Sequence, residues 1–411
     1  MDPWVFAQLL LRLEETPELK TRLLALSSRP ETTIEAESKV ESYLQELVSV
    51  LDALPSTPLP RATRVYMASC MDIIHSGHFN CMRQAKALGD ILVMGVIADE
   101  EIRRCKGPPV MNQDERATMI EACRWVDEVI VGVEYYVTPD ILERVGCDFV
   151  AHGDDVAIRK DTGKDAYEDV RNAGKLKIVK RTEGISTTDL IGKMMLMTRA
   201  DTQDPNSAVP VSEIITHNAS EYKFLATTRR LTQFAPRHSP LPSDKVVYID
   251  GGFDMIHKGH VETLKRAKAL GNYLIVGVHD DHTVNLHKGK NYPIMNLHER
   301  TLNLLALKYV DDVIMGAPWA ITEDMLRTLN LQLVVQGTNP KTKNDILPAN
   351  DPYALAKAKG IYAEVESVYP LDTEDIVERI VANRLTYIER NKRMEANQKQ
   401  YYEGKTFVAE I

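Results

Sequence analysis

The chain has 411 residues, of which 44% are hydrophobic and 27% charged, and its formal net charge is −9. This length exceeds one ordinary core, so we expect two or three domains, and the acidic balance argues against nucleic acid as a general partner. No signal peptide or membrane-spanning apolar run is found, and five cysteines without CxxC spacing indicate reduced thiols in a cytoplasmic protein.

Residues 1–60 are predicted to form a helical extension that ends in a linker. The apolar stretches WVFAQLLLRL and YLQELVSVL favour helices, and PSTPLP at 55–60 breaks the chain. The apolar face of these helices could dock on a partner or a membrane surface. Packing on the rest of the protein is the interpretation we favour.

An internal duplication dominates the rest of the sequence. Residues 65–96 align with 247–278, and MNQDER at 111–116 aligns with MNLHER at 295–300. A match of this extent indicates a duplicated domain. We therefore predict one domain over 61–200, a linker rich in Pro, Ser and Thr over 201–243, and a second domain over 244–390. A polar tail comes last, over 391–411.

Each repeat alternates short β-branched runs with helical stretches. In the first repeat, VYM at 65–67 is followed by a loop, a helix and the apolar run DILVMGV at 90–96. This alternation predicts an α/β fold, a parallel sheet with helices on both faces. Such sheets bind ligands beyond the carboxyl ends of their strands.

The HxGH motif occurs at that point in both repeats, as HSGH at 75–78 and HKGH at 257–260. Histidines three apart share a helix face, and the glycine between them lets a phosphate approach the backbone. A helix N-terminus attracts anions, and imidazole donors there would stabilise charge that develops on a phosphate. Two buried structural histidines are the alternative, which the duplication disfavours.

Further candidates stand at matched or loop positions. Lys106 and Lys288 occupy equivalent KG loops, where a lysine suits a triphosphate. Arg116, in DER, is as suited to pairing with a carboxylate as to binding a ligand. AHGDD at 151–155 ends a strand, and RTEGISTTD at 181–189 offers an arginine and three hydroxyls before a helix. Those hydroxyls could also simply cap that helix.

HxGH and RTEGIST together resemble the signatures of the cytidylyltransferase family, and the tandem arrangement is similar to its ethanolamine-phosphate branch. The resemblance covers about 64–400 and implies two tandem Rossmann-like nucleotidyltransferase domains. It implies transfer of CMP from CTP to phosphoethanolamine, with Mg²⁺ bound to CTP and no metal held by the protein alone. A homodimer and a peripheral membrane contact are compatible with it.

The resemblance also assigns residues. Its catalytic candidates are His75, His78, Lys106 and Arg181. Those for the nucleotide in the first domain are Cys70, Met71, Asp72, His152, Gly153, Asp154, Ser186, Thr187 and Thr188. Those for a second or alternative nucleotide site in the second domain are Gly252, Phe253, Asp254, His257, His260, Lys288, Gly337 and Thr373. Asp99, Arg116 and Tyr135 are the candidates for the other substrate.

Each repeat departs from the family pattern at a different place. The first has Ala68 and Ser69 where the second has Asp250 and Gly251, while the second has SVYPLDTED at 367–375 in place of RTEGISTTD. Losing an arginine that faces developing charge costs on the order of several kcal/mol. A serine in a permissive turn costs about 1 kcal/mol or less. The first repeat is therefore the better candidate for the catalyst.

Three other functions remain open at this point. A choline-phosphate cytidylyltransferase would cage its quaternary ammonium with aromatic rings, and Trp319 stands in the second repeat where the first has Tyr135 and Tyr136. A non-catalytic nucleotide sensor would not need Lys106 and Arg181. An adenylyltransferase shares HxGH but lacks RTEGISTT.

Overall fold

The computed structural model describes residues 61–155, 157–158, 162–182, 184–197, 228–236, 238–289, 291–339, 351–392 and 408–411. The extension predicted over 1–60 and residues 201–227 of the predicted linker lie outside these ranges. Both repeats belong to one compact unit, Thr63–Ile411.

The first repeat forms a parallel five-stranded sheet. Its strands are β1 (Arg64–Ser69), β2 (Ile91–Ile97), β3 (Glu128–Val133), β4 (Phe149–Gly153) and β5 (Leu176–Val179), in the order β3-β2-β1-β4-β5. Its helices are α1 (Ser76–Lys86), α2 (Asp99–Cys105), α3 (Gln113–Glu121), α4 (Pro139–Val145), α5 (Glu168–Asn172) and α6 (Thr187–Met197). The strand order reverses between β1 and β4, which is where such sheets bind ligands.

The second repeat has the same topology. A linker helix, α7 (Thr228–Phe234), precedes it. Its strands are β6 (Val246–Gly251), β7 (Tyr273–Val278), β8 (Asp312–Met315), β9 (Leu333–Thr338) and β10 (Tyr362–Glu366), in the order β10-β9-β6-β7-β8. Its helices are α8 (Lys258–Lys268), α9 (Asp281–Lys288), α10 (Leu297–Leu305), α11 (Glu323–Thr328), α12 (Ala354–Ala358) and α13 (Thr373–Ala382). Residues 384–392 are also helical.

The two sheets share a core. Val65 and Met67, on one face of β1, belong to the same buried cluster as Val247 and Ile249 of β6. Residues on the opposite faces, such as Tyr66, pack in a cluster confined to their own repeat. Strands buried on both faces explain why these runs are almost continuously apolar.

Corresponding residues of the two repeats pair with each other where α3 and α10 end. Cys123 forms an isolated antiparallel bridge with Leu307, its own counterpart in the sequence alignment. The Arg124 N–H donates to the Ala306 carbonyl over 2.9 Å, and the Lys308 N–H donates to the Ala122 carbonyl over 2.9 Å. These reciprocal bonds give the repeats a local pseudo-two-fold relation.

The fold class predicted from the sequence is confirmed in both repeats. All five cysteines are free thiols, as expected from their spacing. In the part of the chain that the structure covers, no helix has both the length and the apolarity to cross a bilayer.

Candidate active site

The two histidines of the first HxGH motif stack at the start of α1. His75 is the N-cap residue, and its ring lies 3.9 Å from that of His78 between centroids, at 29°. The Gly77 N–H donates to Nδ1 of His75 over 3.1 Å. A neutral His75 therefore carries its proton on Nε2, which is left as the donor.

Both histidines are held in the neutral state. Burial is the main cause that lowers the pKa of His78, to about 3, followed by the positive charges of Lys106 and Arg181. Burial, His78, Arg181 and Lys106 likewise place the pKa of His75 well below its usual value. The same two cations therefore lie close to both rings, although Lys106 and Arg181 are 75 positions apart in the sequence.

These four side chains line one cavity of about 350 Å³ at the carboxyl edge of the first sheet. Twelve predicted residues are on its wall: His75, His78, Lys106, Arg181, Cys70, Met71, Tyr135, His152, Gly153, Ser186, Thr187 and Thr188. Most of them lie at the end of β4 or in the loop and first helical turn that follow β1 or β5, because the carboxyl ends of parallel strands meet at one edge. Twelve of the candidates named from the sequence are therefore brought together on one cavity.

The helix that starts at Thr187 points its N-terminus at the cavity. Ser186 caps it, with its hydroxyl accepting from the Asp189 N–H over 3.1 Å and donating to the Asp189 carboxylate over 2.6 Å. Thr187 Oγ1 donates to the Asp72 carbonyl over 3.0 Å. Ser186 therefore caps this helix, while the Thr187 hydroxyl holds the loop after β1.

Four of the predicted residues do not line the cavity. Asp72 accepts hydrogen bonds from the N–H groups of Val110 and Met111, and Asp154 accepts one from the Arg181 N–H over 3.0 Å. Both carboxylates hold backbone in place. We therefore assign them a positioning function and not direct nucleotide contact.

Arg116 and Asp99 are the other two. Arg116 is fully buried and donates to the carbonyls of Cys70, Ile97 and Met111 and to Asp99 at 2.7 Å. Of the two functions the sequence left open for Arg116, the geometry supports pairing with a carboxylate. The arginine ties the loops after β1 and β2 to α3.

The sequence did not single out several residues on the cavity wall. Asp155 is the carboxylate among the lining residues, and burial opposes its ionisation, but His152, Arg181 and Lys106 outweigh that effect and lower its pKa. Tyr167 packs 4.0 Å from the His152 ring and donates to the Ala68 carbonyl over 2.9 Å. Asp155 could have been noted as the last residue of AHGDD; Arg390, also on the wall, carried no signal in the sequence.

The first loop accepts Ser69 without backbone strain. Neither Ser69 nor its counterpart Gly251 is among the residues with positive φ. The strained residues lie two and four positions further on, where Met71 and Ile73 have φ of 48° and 50°. Their counterparts Phe253 and Met255 have φ of 47° and 50°. The loop is thus built alike in both repeats, and the serine is not a defect.

The second repeat keeps the histidine pair but surrounds it differently. His257 and His260 stack at 3.8 Å, and burial is the main cause that lowers both pKa values. The Asp254 carboxylate accepts hydrogen bonds from the N–H groups of Ile294 and Met295. The Thr373 hydroxyl donates to the Asp254 carbonyl, as the Thr187 hydroxyl does to the Asp72 carbonyl. These two residues therefore serve the loop geometry.

The loop that replaces RTEGIST covers the second motif. A Cβ added to Gly259 would lie 2.8 Å from the Tyr369 carbonyl oxygen, whereas at Gly77 it would meet only side chains. No arginine stands at the position of Arg181, which is Ser367 here. In the second repeat, loop backbone therefore lies against the glycine between the two histidines.

The other candidates of the second repeat are engaged within the protein. Lys288 lies 4.1 Å over the Tyr292 ring, Phe253 packs near His260, and Gly252 offers its carbonyl to Arg300. A Cβ on Gly337 would lie 3.0 Å from the Thr263 methyl, so this glycine serves packing. Trp319, which kept the choline alternative open, stacks on His287 at 3.5 Å and 6°.

Comparisons with known proteins agree with this geometry. A family model described as Cytidylyltransferase-like matches residues 66–193 and 248–392. An ethanolamine-phosphate cytidylyltransferase from Dictyostelium discoideum is 46% identical over 361 residues, which is 85% of this chain and 99% of that protein. The chain belongs to the ethanolamine-phosphate cytidylyltransferase family. It is therefore a nucleotidyltransferase, as its motifs predicted.

Other relatives separate the two substrate classes. The mouse ethanolamine-phosphate cytidylyltransferase is 40% identical and matches 84% of this chain and 92% of its own length. Mouse choline-phosphate cytidylyltransferase A is 39% identical over 150 residues, only 36% of this chain and 41% of that protein. The tandem organisation is thus shared with the ethanolamine-phosphate branch.

Proposed function

We propose that this chain transfers CMP from CTP to phosphoethanolamine, giving CDP-ethanolamine and pyrophosphate, and that the first repeat performs the reaction. The observation that carries the assignment is the convergence of His75, His78, Lys106 and Arg181 on one cavity. The second repeat has the histidines without the arginine, and its loop backbone lies against Gly259.

In this mechanism a phosphate oxygen of phosphoethanolamine attacks the α-phosphorus of CTP. The new O–P bond forms as the bond to the β-phosphate oxygen breaks, and pyrophosphate leaves with that electron pair. No covalent enzyme intermediate forms. The neutral histidines donate N–H groups to the α-phosphoryl oxygens, where charge is redistributed in the transition state.

Lys106 and Arg181 face the departing phosphates. The planar guanidinium of Arg181 donates two parallel hydrogen bonds, and Lys106 supplies a compact positive charge. Together they counter the negative charge of the leaving group. CTP is expected to enter as its Mg²⁺ complex, because Mg²⁺ prefers phosphate oxygens and water. Within the described ranges, no group of three or more His, Cys, Asp or Glu side chains is placed to hold a metal ion.

Asp155 is the proposed partner of the ethanolamine ammonium. Among the described residues of the wall it is the one carboxylate, beside the cations Lys106 and Arg181, and Tyr135 and Tyr167 line the same cavity. A primary ammonium needs acceptors for its N–H groups, whereas a quaternary one needs an aromatic cage, in which tryptophan is best. Trp319 lies in the other repeat. This arrangement favours phosphoethanolamine over phosphocholine.

The free thiols support the expected cytoplasmic location, since disulfides are rare there. A homodimer and a peripheral membrane contact stay predictions.

Matched alanine variants of the two repeats test the proposal. His75→Ala, His78→Ala and Arg181→Ala should each lower kcat by about 100-fold or more, because each removes a donor to developing charge. His257→Ala and His260→Ala are the matched controls and should keep kcat within about threefold while they shift the melting temperature. Turnover of labelled CTP is measured at saturation with phosphoethanolamine and with phosphocholine.

The opposite pattern would place the active site in the second repeat. That result requires His257→Ala to abolish turnover while His75→Ala and Arg181→Ala spare it. Faster turnover of phosphocholine than of phosphoethanolamine would contradict the substrate assignment and leave the reaction type intact.

A further inference from the structure

Arg390 is a residue of the first active site that is supplied from the far end of the second repeat. It lies in the helical segment 384–392, which comes after α13, and its exposure is only 5%. Its side chain lines the cavity that holds His75 and Arg181. The chain therefore crosses from the second repeat into the site of the first.

The guanidinium of Arg390 is bound between two parts of the first repeat. Its Nη1 lies 3.2 Å from the Pro108 carbonyl oxygen, to which it donates, and 3.4 Å from Oδ2 of Asp72. Its aliphatic part passes Gly107, where an added Cβ would lie 3.8 Å from Cδ of Arg390. Gly107 has φ of 122°, a backbone conformation that residues other than glycine rarely adopt.

The loop that Arg390 holds begins at Lys106. Its other end is fixed by the same carboxylate, because Asp72 accepts the N–H groups of Val110 and Met111 over 3.0 and 2.9 Å. Arg379, also from the second repeat, donates to the Val110 carbonyl over 3.2 Å. Two arginines of the second repeat thus hold the loop that carries the proposed leaving-group lysine.

Positioning of this kind matters because Lys106 lies beside a glycine-containing turn. Lysine has a long flexible side chain, so its ammonium reaches the same point in each turnover only if its backbone is fixed. Lys288 is the equivalent lysine of the second repeat and precedes the matching loop, but that repeat lacks the arginine of RTEGIST.

We infer that Arg390 is a positioning residue for Lys106, and that the closing helix of the second repeat is a required part of the first active site. The inference rests on the proposed function, since it takes Lys106 to act on the nucleotide phosphates. The second repeat then has a function in catalysis, the positioning of Lys106, that does not depend on its own HxGH motif.

A double-mutant cycle with Lys106 tests this inference. Arg390→Gln should lower kcat/KM for CTP by about 10- to 100-fold, because a displacement of about 1 Å at a catalytic group can cost that much. KM for phosphoethanolamine should stay within about twofold. Combined with Lys106→Ala, which should itself be strongly impaired, Arg390→Gln should add almost nothing, because both changes remove the same interaction.

Two further variants separate positioning from general stability. Lys392→Gln removes the same charge from an exposed place on the same helix and should match the unmodified enzyme. Arg390→Lys keeps a charge near Asp72 and should recover part of kcat/KM. If Arg390→Gln proves too unstable to purify, the cycle of Arg390→Lys with Lys106→Ala decides in its place.

Full additivity of the Arg390 and Lys106 effects would overturn the inference, as would an Arg390→Gln enzyme with normal kcat/KM for CTP. The His75→Ala control distinguishes these results from failure of the proposed function. With the first repeat as catalyst, His75→Ala is inactive whatever the outcome at Arg390.

Discussion

The four histidines of the two HxGH motifs are neutral side chains, His75 and His257 buried and His78 and His260 half-buried. Burial is the main cause in each case, and it lowers the pKa of His78 and of His260 to about 3. An unfolded histidine titrates near pH 6.5. As the pH falls below that value, the unfolded chain takes up protons that the folded chain does not. The histidines therefore contribute stability above about pH 6.5 that is lost on acidification.

This linkage predicts acid sensitivity. Each of these histidines should cost about 1.4 kcal/mol of unfolding free energy between about pH 7.5 and 5.5. His260→Asn should remove one such contribution, so its unfolding free energy should depend less steeply on pH by that amount. Chemical denaturation at several pH values measures both slopes. Equal slopes for the two proteins would show that His260 titrates normally in the folded state.

At the residue scale, the sequence identified groups whose chemistry is local and repeated. HxGH and the KG loops were found because duplication marks them, and RTEGIST because it resembles a family signature. Arg390 and the support that Asp72 gives to residues 110–111 were not predicted, because they depend on how distant segments pack. The function of Arg116 stayed ambiguous for the same reason, since only the fold shows that its guanidinium donates hydrogen bonds to backbone carbonyls.

At the element scale, the repeats differ in the segment after their last strand. In the first, the atoms nearest to a Cβ added at Gly77 belong to side chains, Cε1 of His75 at 2.9 Å and Cγ2 of Ile185 in the RTEGIST segment at 3.1 Å. In the second, the nearest atom to a Cβ on Gly259 is the Tyr369 carbonyl oxygen at 2.8 Å. The sequence showed that this segment had changed, but not that its backbone had moved onto the motif.

The two glycines should therefore respond differently to alanine. Gly77→Ala should displace the His75 ring and lower kcat by about 100-fold with little change in melting temperature, because a side chain can move aside. Gly259→Ala must displace backbone and should cost about 1–3 kcal/mol of stability, with kcat nearly unchanged. Thermal melts and turnover of the purified pair check this. A greater loss of turnover in Gly259→Ala than in Gly77→Ala would speak against an occluded second motif.

At the scale of the whole molecule, the two repeats form one compact unit. They share a core, and Arg379 binds the buried Glu115 across the interface through two hydrogen bonds of 2.7 and 2.8 Å. Burial opposes ionisation of Glu115, but the hydrogen bonds from Arg379, the Asn112 N–H and Tyr369 together with the charge of Arg379 outweigh it and lower its pKa. Tyr369 donates to the same carboxylate over 3.0 Å. The sequence predicted two domains, but an interface of this kind carries no local signal.

Breaking this ion pair should destabilise the protein as a whole. Arg379→Met leaves Glu115 buried without its partner and should cost about 3 kcal/mol. Adding Glu115→Gln should recover part of that loss, because no uncompensated charge then remains. Arg327→Met, which removes an arginine that is 77% exposed in a surface pair, should change stability by less than about 0.5 kcal/mol. Denaturant unfolding of the unmodified protein and of the three variants measures these differences in stability. An equal loss of stability in Arg379→Met and Arg327→Met would refute the prediction.

The reciprocal bonds around Cys123 and Leu307 have the form of a contact between two identical subunits, in which each residue meets its own copy. In a homodimer, one gene encodes both partners, so every change appears in both and neither active site can be given up. Joining the partners in one polypeptide removes that constraint, because each half then mutates separately. One half could exchange its arginine loop for one that packs against its own motif, while its last helix came to serve the other half. The division of labour between chemistry and support is thus open to a fused pair and closed to a homodimer that one gene encodes.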